Sequence, residues 1–192
     1  MLEELYNQKC NEVSDIHEHL PTLKKYAEEC NHITEMGVRW IVSTYAFLMG
    51  KPDKLISIDI QHPNTWNADL SLVEAAANEI NAGFEFILGD TLQIDIEETD
   101  LLFIDTWHAY KQLKAELDRH HSKANKYIIL HDTTSYEFKD ETSYESLGWR
   151  GDGPGIGQAI NEFLTENTKW VLHEKFTNNN GLTILKRNND IR

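Results

Sequence analysis

NHITEMGVRWIVST, residues 31–44, is the stretch on which the fold turns. HITEM is a short β-branched run of strand type, and Val42 to Met49 follows with helical spacing. One glycine, Gly37, stands at the joint, with Glu35 before it and Arg39 and Trp40 after it. Open α/β folds that hold a pyrophosphate set three glycines at such a joint, so that backbone can approach the phosphates at a helix N-terminus. With one glycine the joint reads as a degraded phosphate loop, an ordinary turn, or a loop for a nucleoside without phosphates.

Working outward, strand-like runs alternate with helical ones. HITEM, KLISIDI, FEFILGD, DLLFID and KYIILHD are the strand candidates. Between them lie helix candidates at Val42 to Met49, Leu70 to Ala82 with Gly83 ending it, and Tyr110 to His121. TLQIDIEETD, between the third and fourth strands, reads as a turn. This rhythm predicts a parallel sheet with helices on both faces. The tail breaks it: IGQAINEFLTEN reads as a helix, and WVLHEKF and GLTILKR as strands joined through TNNN and Gly181. Asn-Gly is a hairpin signal because both residues tolerate positive φ. The expected fold is therefore α/β, a Rossmann-like seven-stranded, mostly parallel sheet with an antiparallel C-terminal hairpin. Residues 1–30 form a helical region packed on a single domain of 31–192, with a long lid-like loop at 133–155.

Composition bounds the rest. The chain has 192 residues, 40% hydrophobic and 26% charged, room for one domain with a sizeable core. Its net charge is −14, with no basic cluster, which argues against a nucleic-acid partner. Cys10 and Cys30 are too few for a disulfide framework or a thiolate metal site. MLEELYNQKC lacks a signal-peptide core, and no apolar run reaches membrane-span length. The expectation is a soluble cytoplasmic protein, free to form homo-oligomers.

Ligands of open parallel sheets bind beyond the carboxyl ends of the strands. An acid sits at each of those ends: Glu35, Asp59, Asp90, Asp105 and Asp132. Asp59 is placed to accept two ribose hydroxyls, or is a loop acid or cap; Asp90 reaches an adenine amino group, or is a turn residue. His108 follows Asp105 by three residues and is suited to proton transfer, or bonds the backbone of a helix start. Asp105, His131 and Asp132 could converge on a divalent cation, with His131–Asp132 as a cap and turn the alternative. Two carboxylates suit Mg²⁺ or Ca²⁺, while histidine leans toward Mn²⁺, Fe²⁺ or Zn²⁺. His17, His19, His32, His62, His120, His121 and His173 read as structural.

These residues resemble class I S-adenosylmethionine-dependent methyltransferases, nearest the branch of macrocin- and mycinamicin-type sugar O-methyltransferases and cephalosporin-hydroxylase-like proteins. The likeness covers residues 30–187. EMGVRWIVST resembles a shortened first motif, with Ile41 where a second glycine often stands; LISIDI, LLFIDTWHAYKQLKAEL, YIILHDT and GDGPG resemble later ones. The resemblance implies S-adenosylmethionine as cofactor, on Glu35, Gly37, Ser43 and Thr44 at the first strand and on Asp59, Asp90 and Asp105 beyond it. It implies a divalent metal, Mg²⁺ or another, on Asp105, His131 and Asp132, and His108 as base. His131 departs from relatives that carry Asp or Glu there. The expected reaction is metal-assisted O-methylation of a sugar-like or polyol hydroxyl, with Tyr136, Phe138, Tyr144 and Trp149 of the long loop as stacking surfaces and Gly148, Gly151, Gly153 and Gly155 as its hinge. The alternatives are a metal-dependent hydrolase or oxygenase on this scaffold, or a non-catalytic nucleoside-binding module. A cofactor without phosphate needs one close backbone approach, at Gly37, and Glu35 would face its cationic sulfur.

Overall fold

The computed structural model describes residues 1–188; residues 189–192, the end of the expected domain, lie outside the described residues. Five strands run parallel: β1 (His32–Met36), β2 (Lys54–Asp59), β3 (Gly83–Leu88), β4 (Thr99–Ile104) and β5 (Ala124–His131). β6 (Trp170–Phe176) and β7 (Leu182–Arg187) form the hairpin, and β7 joins the sheet antiparallel to β5. The order is β3-β2-β1-β4-β5-β7-β6, so a single Rossmann-like sheet of seven strands results, as expected from the sequence.

The period-two alternation of each strand divides the core. Ile33, Leu55, Leu101, Phe103 and Ile129 pack on one face, against α1 (Leu2–Asn11), α2 (Leu20–Ala27), α3 (Ser43–Met49) and α4 (Leu70–Glu79). Met36, Ile58, Leu102, Ile104 and Leu130 pack on the other, against α5 (Tyr110–His120) and α6 (Ile156–Glu166). LLFI, residues 101–104, is buried on both faces, which is why it reads as a continuous apolar run. The second face has fewer helices because residues 89–98 make a turn and no helix between β3 and β4. α4 stops three residues earlier than its pattern suggested. Asn81 takes the left-handed turn at φ 57°, and Gly83 opens β3 instead of ending the helix. Among the described residues no helix is long and apolar enough to cross a membrane.

Candidate functional site

The strand order reverses between β1 and β4, and there a cavity of about 480 Å³ opens at the carboxyl ends. Gly37, Val38, Asp59, Ile60, Asp90 and Leu92 line its β2–β3 half. Trp107, His108, Asp132, Tyr144 and Trp149 line its β4–β5 half, with Asp105 between them.

The joint after β1 is built around two carboxylates. Asp59, ending β2, accepts the backbone N–H groups of Val38 (2.7 Å) and Arg39 (3.0 Å) through Oδ2 and that of Gln61 (2.8 Å) through Oδ1. Asp59 also lines the cavity. Gly37 has φ 86°, and a Cβ there would overlap the Asp105 carbonyl oxygen. The glycine thus lets β1 and β4 leave the sheet side by side. Gly37→Ala is expected to cost about 2–4 kcal/mol, read from urea unfolding, through overlap and left-handed strain together.

Glu35 does not face the cavity, contrary to the reading from sequence. It is fully buried, and its carboxylate accepts the hydroxyls of Ser43 (2.5 Å), Thr44 (2.8 Å) and Ser57 (2.6 Å). It ties β1 and β2 to the start of α3 from beneath the loop. Thr44 is buried with it, while Ser43 reaches the cavity wall. Ile41 does not narrow the cavity. Its side chain packs in the core beside Val38 and Val42 while its backbone sits at φ 58°, a left-handed position that costs a β-branched residue about 1–2 kcal/mol and that burial offsets.

Asp90 lines the cavity and also turns the chain, its Oδ1 accepting the Leu92 N–H at 2.8 Å. Beyond β4 and β5 the charged side chains converge. His108 Nε2 lies 3.1 Å from Asp105 Oδ1 and 3.1 Å from Asp132 Oδ2, and its Nδ1 lies 3.0 Å from Glu141. The ring stacks on Tyr136. Burial works against a charged imidazole, but the bonds to Asp105 and Glu141 and the charge of Asp132 outweigh it and push the His108 pKa up to about 10. The carboxylates around it therefore favour the protonated ring, so His108 can serve as the expected base only when their pull on it is relieved. Burial likewise opposes a charge on His131, but Asp105 raises its pKa. Burial would raise Asp105 as well, yet His131 and His108 hold it below the usual carboxylate range; burial pushes Asp132 up to about 6, with His108 pulling the other way.

His131 is buried, with Nε2 3.3 Å from the Asn179 carbonyl and Nδ1 3.2 Å from Asp105. A carbonyl takes only a donor, so Nε2 carries a proton. Nδ1 then faces a carboxylate either as a second N–H or as a lone pair that needs a cation between them. One ligand atom each from Asp105, His131 and Asp132 lies within 4.8 Å of the others. The donor set fits a divalent cation.

Several residues of the site were not singled out from sequence. Glu141 holds His108, and Asp140 accepts the N–H groups of Tyr110 (2.8 Å), Gly153 (2.8 Å) and Gly155 (3.0 Å), fastening the long loop to the start of α5. Gly151 likewise packs against the Glu141 carbonyl, where a Cβ would overlap it. Glu116, fully buried on α5, accepts from Thr91 (2.6 Å), Thr106 (2.8 Å) and Gln112 (2.9 Å) under the cavity floor. Of the expected aromatic residues, Tyr144 and Trp149 line the cavity, Tyr136 stacks on His108, and Phe138 is 83% exposed.

No protein-family model matches the sequence, and no curated protein matches it. Solved structures do. An O-methyltransferase from Bacillus cereus in complex with S-adenosylhomocysteine (SAH) is 16% identical, with TM-score 0.65 over 97% of this chain and 90% of that one. An SAH-bound methyltransferase from Podospora anserina is 15% identical, with TM-score 0.60 over 97% and 87%. A methyltransferase from Geobacter sulfurreducens is also 15% identical, with TM-score 0.59 over 97% and 87%. At these identities the likeness is one of fold, and the chain has the fold of these methyltransferases.

Proposed function

We propose that the chain is an S-adenosylmethionine-dependent O-methyltransferase acting, with a divalent metal, on a sugar-like or polyol hydroxyl. The observation that carries the reading is Asp59. It ends β2, binds the single-glycine loop by backbone, and lines the cavity in a fold whose solved examples hold SAH. The nucleoside takes the β2–β3 half, its ribose on Asp59 and its adenine between Ile60 and the turn at Asp90. No second glycine is needed, because this cofactor has no pyrophosphate to cradle. Acids near the sulfonium favour binding a cation.

In the transfer, the acceptor oxygen forms a bond to the methyl carbon as the carbon–sulfur bond breaks. The sulfonium leaves as a neutral thioether and the hydroxyl proton departs. Holding the two groups in line is the protein's main contribution. Tyr144, Trp149 and Trp107 wall the acceptor half, and Glu141 and Tyr136 orient the His108 ring. Asp105, His131 and Asp132 are the residues that would hold the metal. Bound there, a divalent cation would orient and acidify the acceptor hydroxyl and engage Asp105 and Asp132, two of the three carboxylates that favour the protonated His108 ring. His108 remains the proposed proton acceptor in that neutral form.

Calorimetry with S-adenosylmethionine and SAH tests the reading. Micromolar binding is expected, with Asp59→Ala weakening it at least about tenfold, since the charge-assisted contact to ribose and the bonds that shape the Gly37 loop are lost together. No binding at high micromolar concentration would sink it; unchanged affinity in the variant would sink the ribose assignment.

A further inference from the structure

Arg39 has a role that neither the fold nor the cofactor reading assigns. Its N–H is bound by Asp59 Oδ2, so the carboxylate proposed to read the ribose also fixes this residue's backbone, at φ 41°. Its guanidinium then spans the cavity mouth. One nitrogen donates to the Tyr144 hydroxyl at 2.7 Å, and another lies 3.5 Å from Asp15, on the segment between α1 and α2. The group lies within cation–π distance of the Trp40 (4.8 Å) and Trp66 (5.9 Å) rings, which are set at 79° to each other and restrict how the fork can point. From Tyr144 the contacts continue to Trp149 and from Trp149 to Trp107, each pair 5.4 Å between ring centres. A continuous path thus runs from Asp59 in the nucleoside half to the aromatic wall of the acceptor half. Asp140 and Glu141 fasten the first part of the long loop independently of this path.

We propose that Arg39 is a positioning residue that couples an occupied nucleoside half to the placement of residues 142–150 over the acceptor half. This rests on the nucleoside reading of Asp59. Ribose hydroxyls on Asp59 would hold the carboxylate, and with it the Arg39 backbone, in the position from which the side chain reaches Tyr144. An occupied nucleoside half would thereby make the acceptor wall firmer. A lysine could not replace the arginine: one ammonium lacks the planar fork whose separate nitrogens reach Tyr144 and Asp15.

Hydrogen exchange on the full chain, with and without SAH, tests the coupling. SAH is expected to slow exchange of residues 142–150 at least threefold in the wild type. In Arg39→Met and in Tyr144→Phe, which loses one oxygen, SAH should still bind by calorimetry while the slowing disappears. Persistence of the slowing in both variants would overturn the proposal. So would variants that exchange faster by one constant factor with and without SAH, the mark of a merely structural contact. SAH that binds the wild type without slowing the loop defeats the coupling alone, whereas SAH that does not bind defeats the nucleoside reading as well.

Discussion

Asp132→Asn is expected to weaken Mn²⁺ binding at least about 100-fold, more than loss of a residue that merely orients a ligand. The side chain keeps its shape, so the loss reports the carboxylate charge. Asp132 would supply one of the three proposed donors, and its neighbours Asp105 and His131 cannot replace an oxygen that lies 3.1 Å from His108 and 3.5 Å from His131. Wild-type affinity should also depend on pH in a definite sense. His131 must present a bare Nδ1, yet Asp105 raises its pKa and favours the proton there. Below that raised pKa, binding expels the proton, so affinity should climb with pH by up to about tenfold per unit for each proton expelled, that of His131 and that of His108 where the metal frees it. Calorimetry with Mn²⁺ from pH 6.5 to 8.5, in two buffers of different ionisation heat, reads both the slope and the protons released. Absence of binding at millimolar Mn²⁺, or equal affinity in Asp132→Asn, would remove the metal from the site.

The strands and their order of appearance were legible because parallel strands buried on both faces leave unbroken apolar runs, as in residues 101–104. Asp59, Asp90, Asp105 and Asp132 were legible because strand ends are where such a sheet opens, and all four line the cavity. Glu35 failed by two residues. It lies within β1, and its parity matches Ile33, which faces the layer of α1–α4. Alternation along the strand was the signal that could have turned it inward. Glu116 carried a comparable signal, standing at helical spacing with buried Leu113 and Leu117 on α5. Glu141 and Arg39 carried none. Glu141 meets His108 from 33 residues away and Arg39 meets Tyr144 from 105, so no local period records either contact. His108 was identified as chemically important, but its protonation was not readable, because that depends on which carboxylates the fold brings around it.

Glu35 has the largest expected effect on stability, and its pH dependence should run opposite to that of a salt-bridged acid. Burial pushes its pKa from 4.5 up to about 7, although the hydroxyls of Ser43, Ser57 and Thr44 pull it down. Between those two values the folded chain binds more proton than the unfolded chain. The stability this group contributes is therefore complete below pH 4.5 and is lost as pH rises through about 7, a total of about 3 kcal/mol. A glutamine at this position, which does not titrate, would have no such loss. Relative to the wild type, Glu35→Gln should gain about 3 kcal/mol between pH 4.5 and pH 8, read from urea unfolding at the two ends. Glu35→Ala should behave differently: three buried hydroxyls lose their acceptor and a cavity opens, so the variant should be less stable at acid pH by about 3–5 kcal/mol. The two variants separate charge from contact. A stability difference between the wild type and Glu35→Gln that stays constant across this range would show that Glu35 titrates like an exposed acid, and the buried node beneath the Gly37 loop would have to be redrawn as one open to water.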